Sequence, residues 1–225
     1  MYWKIVEKLG GRRDGLTRNE LLRSFGGLSN GSFSRCLSDL EECGFIRNYL
    51  PTARGRNGGV YQIVDNFTLF YRRFVLGQNN RGGDYWQSVL TEGAKSEWRG
   101  FAFERLCLAH VPQIKAALGI SGVHADAYSW RGGAVDGNEA QVDLLLDRRD
   151  GIVNVCEMKY TRKPYAIDKE EAGRMQRRVE AFRDRLGPDR SIHLTMITSN
   201  GLEHNMYSHA VQSEVTLDDL FRNLP

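Results

Sequence analysis

Asp143 and the run Cys156-Glu157-Met158-Lys159-Tyr160 hold the residues best suited to chemistry in this chain. Side chains two apart on a strand share a face, so Glu157 and Lys159 project together while Met158 turns into the core. Asp143 lies in Val142-Asp143-Leu144-Leu145-Leu146, which a tight loop over 147–151 joins to Ile152-Val153-Asn154-Val155-Cys156. That hairpin folds Asp143 back beside Glu157. Two carboxylates on adjacent strands offer an oxygen site for a hard divalent cation, Mg²⁺ or else Mn²⁺. Lys159, a point charge with transferable protons, can orient a water or stabilise charge developing on a phosphorane. Glu104 breaks the apolar helical face of Gly100-Phe101-Ala102-Phe103-Glu104-Arg105-Leu106 and is the natural third acid. A plainer reading stands beside this one: Glu157 and Lys159 as a same-face ion pair, and Asp143 as a hairpin solubiliser.

The elements around these residues follow from periodicity. The spacing predicts a long helix over 93–118, a charged helix over 170–186, a short strand over 193–198 and a closing helix over 217–224. Gln176, on the charged helix, is a fifth candidate, with surface solvation as its simpler role. Arg174, Arg177 and Arg178 with Glu170, Glu171 and Glu180 read as a solvated helix face laced by intrahelical pairs. The five histidines show no ligand spacing. Trp86, Trp98 and Trp130 read as core or interface residues.

Ahead of this lies a different pattern. Trp3, Ile5, Val6 and Leu9 recur at helical spacing until Gly10-Gly11. Thr17 with Glu20 three residues on forms a capping box, opening a helix with Leu21, Leu22 and Phe25. Ser29 or Asn30 caps a third helix carrying Phe33, Leu37 and Leu40, which Gly44 ends. Strand-like runs at 45–50 and 60–64 then flank a basic tip at 51–59. Helix, helix, helix, hairpin is the order of a winged helix-turn-helix, whose third helix lies in the DNA major groove while the wing reaches a flanking phosphate. The DNA-facing candidates are Asn30, Ser32, Ser34 and Arg35 on that helix, and Arg54 and Arg56 on the wing. Against this stand Asp39, Glu41 and Glu42, which make the helix end acidic; winged helices also serve as protein-protein modules.

The division expected is a winged helix over 1–65, a helical connector and linker over 66–92, and a second domain over 93–225. Lys and Arg total 31 against 28 Asp and Glu, a net charge of +3, so only the placement of charge argues for nucleic acid. Cys36, Cys43, Cys107 and Cys156 sit in apolar patterns with no C-x-x-C pair, which predicts reduced core cysteines. With no signal-like start and no apolar run of membrane length, a soluble cytoplasmic protein is expected.

Glu104, Asp143 and Glu157-x-Lys159 together resemble the PD-(D/E)XK phosphodiesterase superfamily. The G-x-x-F-E helix, the E-M-K-Y strand and the ending Ile197-Thr198-Ser199-Asn200-Gly201-Leu202-Glu203 … Val215-Thr216-Leu217-Asp218-Asp219-Leu220-Phe221 further resemble the C-terminal region of archaeal-type AAA ATPases. There a winged helix precedes a nuclease-like domain, the order read here. The resemblance implies an α+β and α/β protein in which a winged helix precedes a restriction-endonuclease-like mixed sheet flanked by helices. It implies metal binding by Glu104, Asp143 and Glu157, with Lys159 and Gln176 completing the catalytic set. DNA and an ATPase module would be the partners. The chain departs from the family in lacking G-x-x-x-x-G-K-[ST], so no ATP site is assigned to it.

Overall fold

Ile5, Val6 and Leu9 are the buried residues of the first helix, α1 (Tyr2–Gly10). The computed structural model describes residues 1–12, 15–26, 30–49, 59–77, 85–88, 90–135, 138–183 and 186–224, with backbone alone at 30, 85, 88, 131–135 and 138–140. The chain divides into two compact units, Met1–Ser96 and Glu97–Pro225.

In the first unit a short strand, β1 (Leu16–Thr17), leads into α2 (Arg18–Ser24). The expected capping box is present: the Glu20 amide donates to Thr17 Oγ1 at 3.3 Å, and the Thr17 amide donates to Glu20 Oε2 at 2.7 Å. Each bond satisfies a backbone donor that the helix cannot. Thr17→Ala is expected to cost about 1 kcal/mol, read from urea unfolding.

Phe33, Cys36, Leu37 and Leu40 form the buried stripe of α3 (Asn30–Glu42). Gly44, at φ +72°, takes the left-handed conformation that favours glycine after a helix. The strands β2 (Ile46–Tyr49) and β3 (Val60–Ile63) pair antiparallel, setting buried Ile46 opposite buried Ile63, and β1 adds to the other edge of β3. The sheet order is therefore β1-β3-β2. Asp65 caps α4 (Asn66–Phe70), which widens into a π-helical turn at Tyr71–Val75. Near α5 (Tyr85–Ser88), the Phe70 and Phe74 rings each lie 5.4 Å from Trp86.

The single helix expected over 93–118 is instead two, α6 (Glu92–Ala109) and α7 (Val111–Ala117), meeting at His110. Pro112 explains the restart, because proline lacks an N–H and its ring clashes with the preceding turn. Next come β4 (Ala125–Val135), β5 (Asn138–Arg148), β6 (Ile152–Lys159), β7 (Tyr165–Ala166), α8 (Lys169–Arg183), β8 (Ser191–Thr198), β9 (Leu202–Glu203) and β10 (Ser213–Thr216). The helix expected over 217–224 is a four-residue 3₁₀ turn, Asp218–Phe221.

Five strands make one mixed sheet in the order β10-β8-β6-β5-β4, with β7 and β9 paired separately. The β4-β5 and β5-β6 pairs are antiparallel, whereas β6-β8 and β8-β10 are parallel. Helix α8 supplies the crossover that a parallel β6-β8 pair requires. Its Met175, Val179 and Phe182 pack on Trp130, Leu145, Val155 and Met196 of the sheet. Register and alternation put Leu144, Leu146, Cys156 and Met158 on the opposite face. The protein is thus mixed α and β, and among the described residues no helix is long and apolar enough to cross a membrane.

Candidate functional site

The hairpin holding Asp143 and Glu157 is irregular where the acid sits. Tyr128 pairs with Leu145 and Trp130 with Val142, so one residue of β4 faces two of β5, Asp143 and Leu144. Such a bulge re-aims side chains and bends the strand. On the other side the ladder runs from Asp147↔Val153 to Leu144↔Cys156, ending one residue short of Asp143 and Glu157. Gln141 donates its side-chain amide to Asp143 Oδ1 at 2.6 Å.

On β6, Val153 and Val155 belong to the core beneath α8, and alternation continues that face through Glu157 to Lys159. Lys159 Nζ stands 3.1 Å from Glu157 Oε1 and 2.8 Å from Glu171 Oε1. Arg178 Nη1 lies 2.5 Å from Glu157 Oε2, and Arg174 pairs with Glu171 and with Glu170. The Lys159 ammonium is also 6.0 Å from the centre of the Tyr165 ring. Thr198, in register with Lys159 on β8, is fully buried, and its hydroxyl has no hydrogen-bond partner among the described residues.

Glu171 is the site residue that sequence reasoning missed. It is 5% exposed, far from the solvated face expected of the charged helix. The signal lies in the helical period: 171, 175, 178, 179 and 182 share one stripe, so Glu171 and Arg178 ride with the apolar Met175, Val179 and Phe182. The expected intrahelical pairs do form, at Arg174 with Glu170 and Glu171, but Arg178 reaches across to the sheet.

The charges hold one another in place. Burial opposes the charge on Lys159, but Glu157 and Glu171 outweigh it and raise its pKa above the ordinary 10.5. Burial likewise opposes ionisation of Glu171, yet Lys159 and Arg174 draw it below the ordinary 4.5. Arg178 is held protonated against burial by Glu157 first, then Glu171 and Asp143. A raised lysine stabilises the fold fully below its unfolded pKa and ceases to as pH rises through the folded one; a depressed glutamate does the reverse on the acid side. Stability of this network is therefore expected to be flat from about pH 5 to about pH 10, falling in acid as Glu171 protonates. Thermal midpoints against pH, for wild type and Lys159→Met, check this; the acid limb should flatten in the variant.

The other two candidates, Glu104 and Gln176, lie on α6 and α8. Glu104 is half-buried on α6, one turn before the buried Cys107. Gln176 is exposed and donates to Glu180 at 2.7 Å; it also rims a cavity with Met175, Val179 and Gln212. Among the described residues no three His, Cys, Asp or Glu side chains stand together as a metal-holding group. Cys36, Cys107 and Cys156 are buried and free as expected, while Cys43 is exposed because it follows the end of α3. Trp98 and Trp130 are buried.

In the first unit Ser32, Ser34 and Arg35 are exposed on α3, opposite the stripe of Phe33, Cys36 and Leu37. Arg18 donates to Ser34 Oγ at 2.9 Å and covers the Phe33 ring. Asn30 is the first residue of α3, and its side chain, like Arg54 and Arg56, lies outside the described residues. The acids at the end of α3 have local partners: Asp39 accepts from the Tyr2 hydroxyl, Glu41 from the Asn48 amide and Glu42 from Ser38. Lys4, Lys8 and Arg12, with Glu7, line an open groove beside Ser24 and Phe25.

No family model and no curated protein matches this chain. A crystal structure described as a protein of unknown function, AF1548, is similar over 49% of this chain and 56% of its own, at 17% identity and a TM-score of 0.35. The match spans about half of either chain.

Proposed function

We propose that this chain is a DNA-binding, metal-dependent nuclease-like module of an ATPase-family protein, pairing a winged helix with a PD-(D/E)XK domain. The observation that carries the reading is the Glu157–Lys159 pair at the end of β6, with Asp143 at the bulge of the neighbouring strand β5. The donor chemistry suits Mg²⁺, which is commonly held by one or two carboxylates while water and substrate phosphate complete its octahedron. Asp143 and Glu157 would be those ligands; Glu104, the third acid expected, does not form a three-acid group with them among the described residues. Bound there, the ion would polarise a phosphate and acidify a bound water. Lys159 would position the water. The ATPase connection rests on the sequence motifs alone.

Incubation of supercoiled, linear and branched DNA with the protein in Mg²⁺ or Mn²⁺, with and without chelator, tests the hydrolase reading. Cleavage that chelator suppresses is expected; intact substrates throughout would remove it.

The helix order and the β1-β3-β2 sheet of the first unit support the winged-helix reading. Exposed Ser32 and Arg35 would meet DNA along α3. Phosphate contacts release counterions, so duplex affinity is expected to fall several-fold or more between low and moderate salt, and to fall further in Arg35→Glu. A gel-shift titration reads both, and no retention at low salt would end the DNA assignment.

One observation favours a second reading. Both oxygens of Glu157 already face cations, Lys159 and Arg178. A non-catalytic regulatory or interaction module, with these charges as structural glue, would need no metal. Calorimetric Mg²⁺ titration of wild type and Glu157→Ala separates the two readings.

A further inference from the structure

We infer that Glu171 is the positioning residue for Lys159, an inference that rests on the hydrolase reading above. A lysine that orients a nucleophile needs its ammonium fixed, because its four-carbon stem is otherwise free to rotate. Glu157 Oε1, 3.1 Å away, also faces the ammonium, but in the reading proposed that carboxylate would turn to the metal. Glu171 can hold the amine. Its Oε1 is the nearer partner at 2.8 Å, and its side chain is 7% exposed.

Glu171 is itself held from three directions. Its backbone amide donates to Asp168 Oδ1 at 2.8 Å, tying the first turn of α8. Arg174 pairs with its second oxygen, Oε2, leaving Oε1 turned to the lysine. Its neighbours on the helix stripe, Met175 and Val179, are locked into the core of the sheet. The carboxylate therefore sits on a rigid element with one oxygen within ion-pair distance of the amine. Tyr165, over which the ammonium lies at 6.0 Å, limits its movement further.

The role differs from metal ligation. A ligand lost would raise the Mg²⁺ needed for half-maximal rate; a lysine left loose would slow the chemical step at saturating metal. Misplacement of a catalytic group by about 1 Å can cost on the order of 100-fold in rate. Glu171→Gln keeps the side-chain shape and removes the charge. With saturating Mg²⁺ and DNA, its kcat is expected to fall on the order of 100-fold, with the KM for DNA and the Mg²⁺ half-saturation unchanged. Glu171→Asp keeps the charge on a stem shorter by one methylene, and is expected to recover part of the rate.

The outcomes are separable. If wild type cleaves, Lys159→Ala does not, and Glu171→Gln runs within twofold of wild type, the positioning role falls and the hydrolase reading stands. A loss confined to Mg²⁺ half-saturation, or matched by loss of folded protein in circular dichroism of both variants, also overturns it. If wild type cleaves nothing under any metal, both fall together.

Discussion

Asp143→Ala and Lys159→Ala are each expected to bring Mg²⁺-dependent DNA cleavage down to background. The two losses have different origins. Asp143 stands at the β5 bulge on the strand next to that of Glu157, so its removal would take away one of the two proposed strand ligands. Lys159 supplies no ligand; its loss removes the group that would orient the water, a contribution of roughly 10²–10⁴-fold for positioned proton-transfer groups. Excess Mg²⁺ should therefore rescue Asp143→Ala in part and Lys159→Ala not at all. The measurement is initial cleavage rate against Mg²⁺ concentration. Wild-type rates in both variants would remove the site, and partial rescue of both would reassign Lys159 to binding.

Trp130→Ala is expected to destabilise the second unit by about 4 kcal/mol. Trp130 is 4% exposed and meets Phe182 of α8 edge-on, with centroids 5.2 Å apart. Truncation loses the transfer energy of the indole and leaves a cavity that a sheet-on-helix core closes only partly. A fall in the melting midpoint of roughly 10 °C or more, followed by near-ultraviolet circular dichroism, would register it. Trp130 also pairs with Val142, the residue beside the bulge, so the variant should disturb Asp143 as well. A midpoint unchanged within a degree would show that the α8 face of the sheet is not the core of this unit.

How much of this was legible beforehand depends on the range of the interactions that decide each feature. The capping box at Thr17, the hairpin of β5 and β6, and the shared face of Glu157 and Lys159 are local: they follow from residues within a few positions of one another. The break at His110 was equally local and readable, since Pro112 announces it, yet the apolar pattern running through 93–118 masked it. Strand β4 was less visible. Its glycines and bulges blur the alternation that marks a strand, and pairing with β5 is what orders it.

Residue types and spacing by themselves determined that Asp143, Glu157 and Lys159 share one sheet region, because a hairpin and a period of two suffice for that. Only the tertiary structure decided what surrounds them. The β6-α8-β8 crossover brings a charged helix face down, and the same stripe that buries Met175 and Val179 carries Glu171 and Arg178 inward with it. No pattern within the helix states which sheet residue each charge will meet, since that depends on the register of two elements packed across the core.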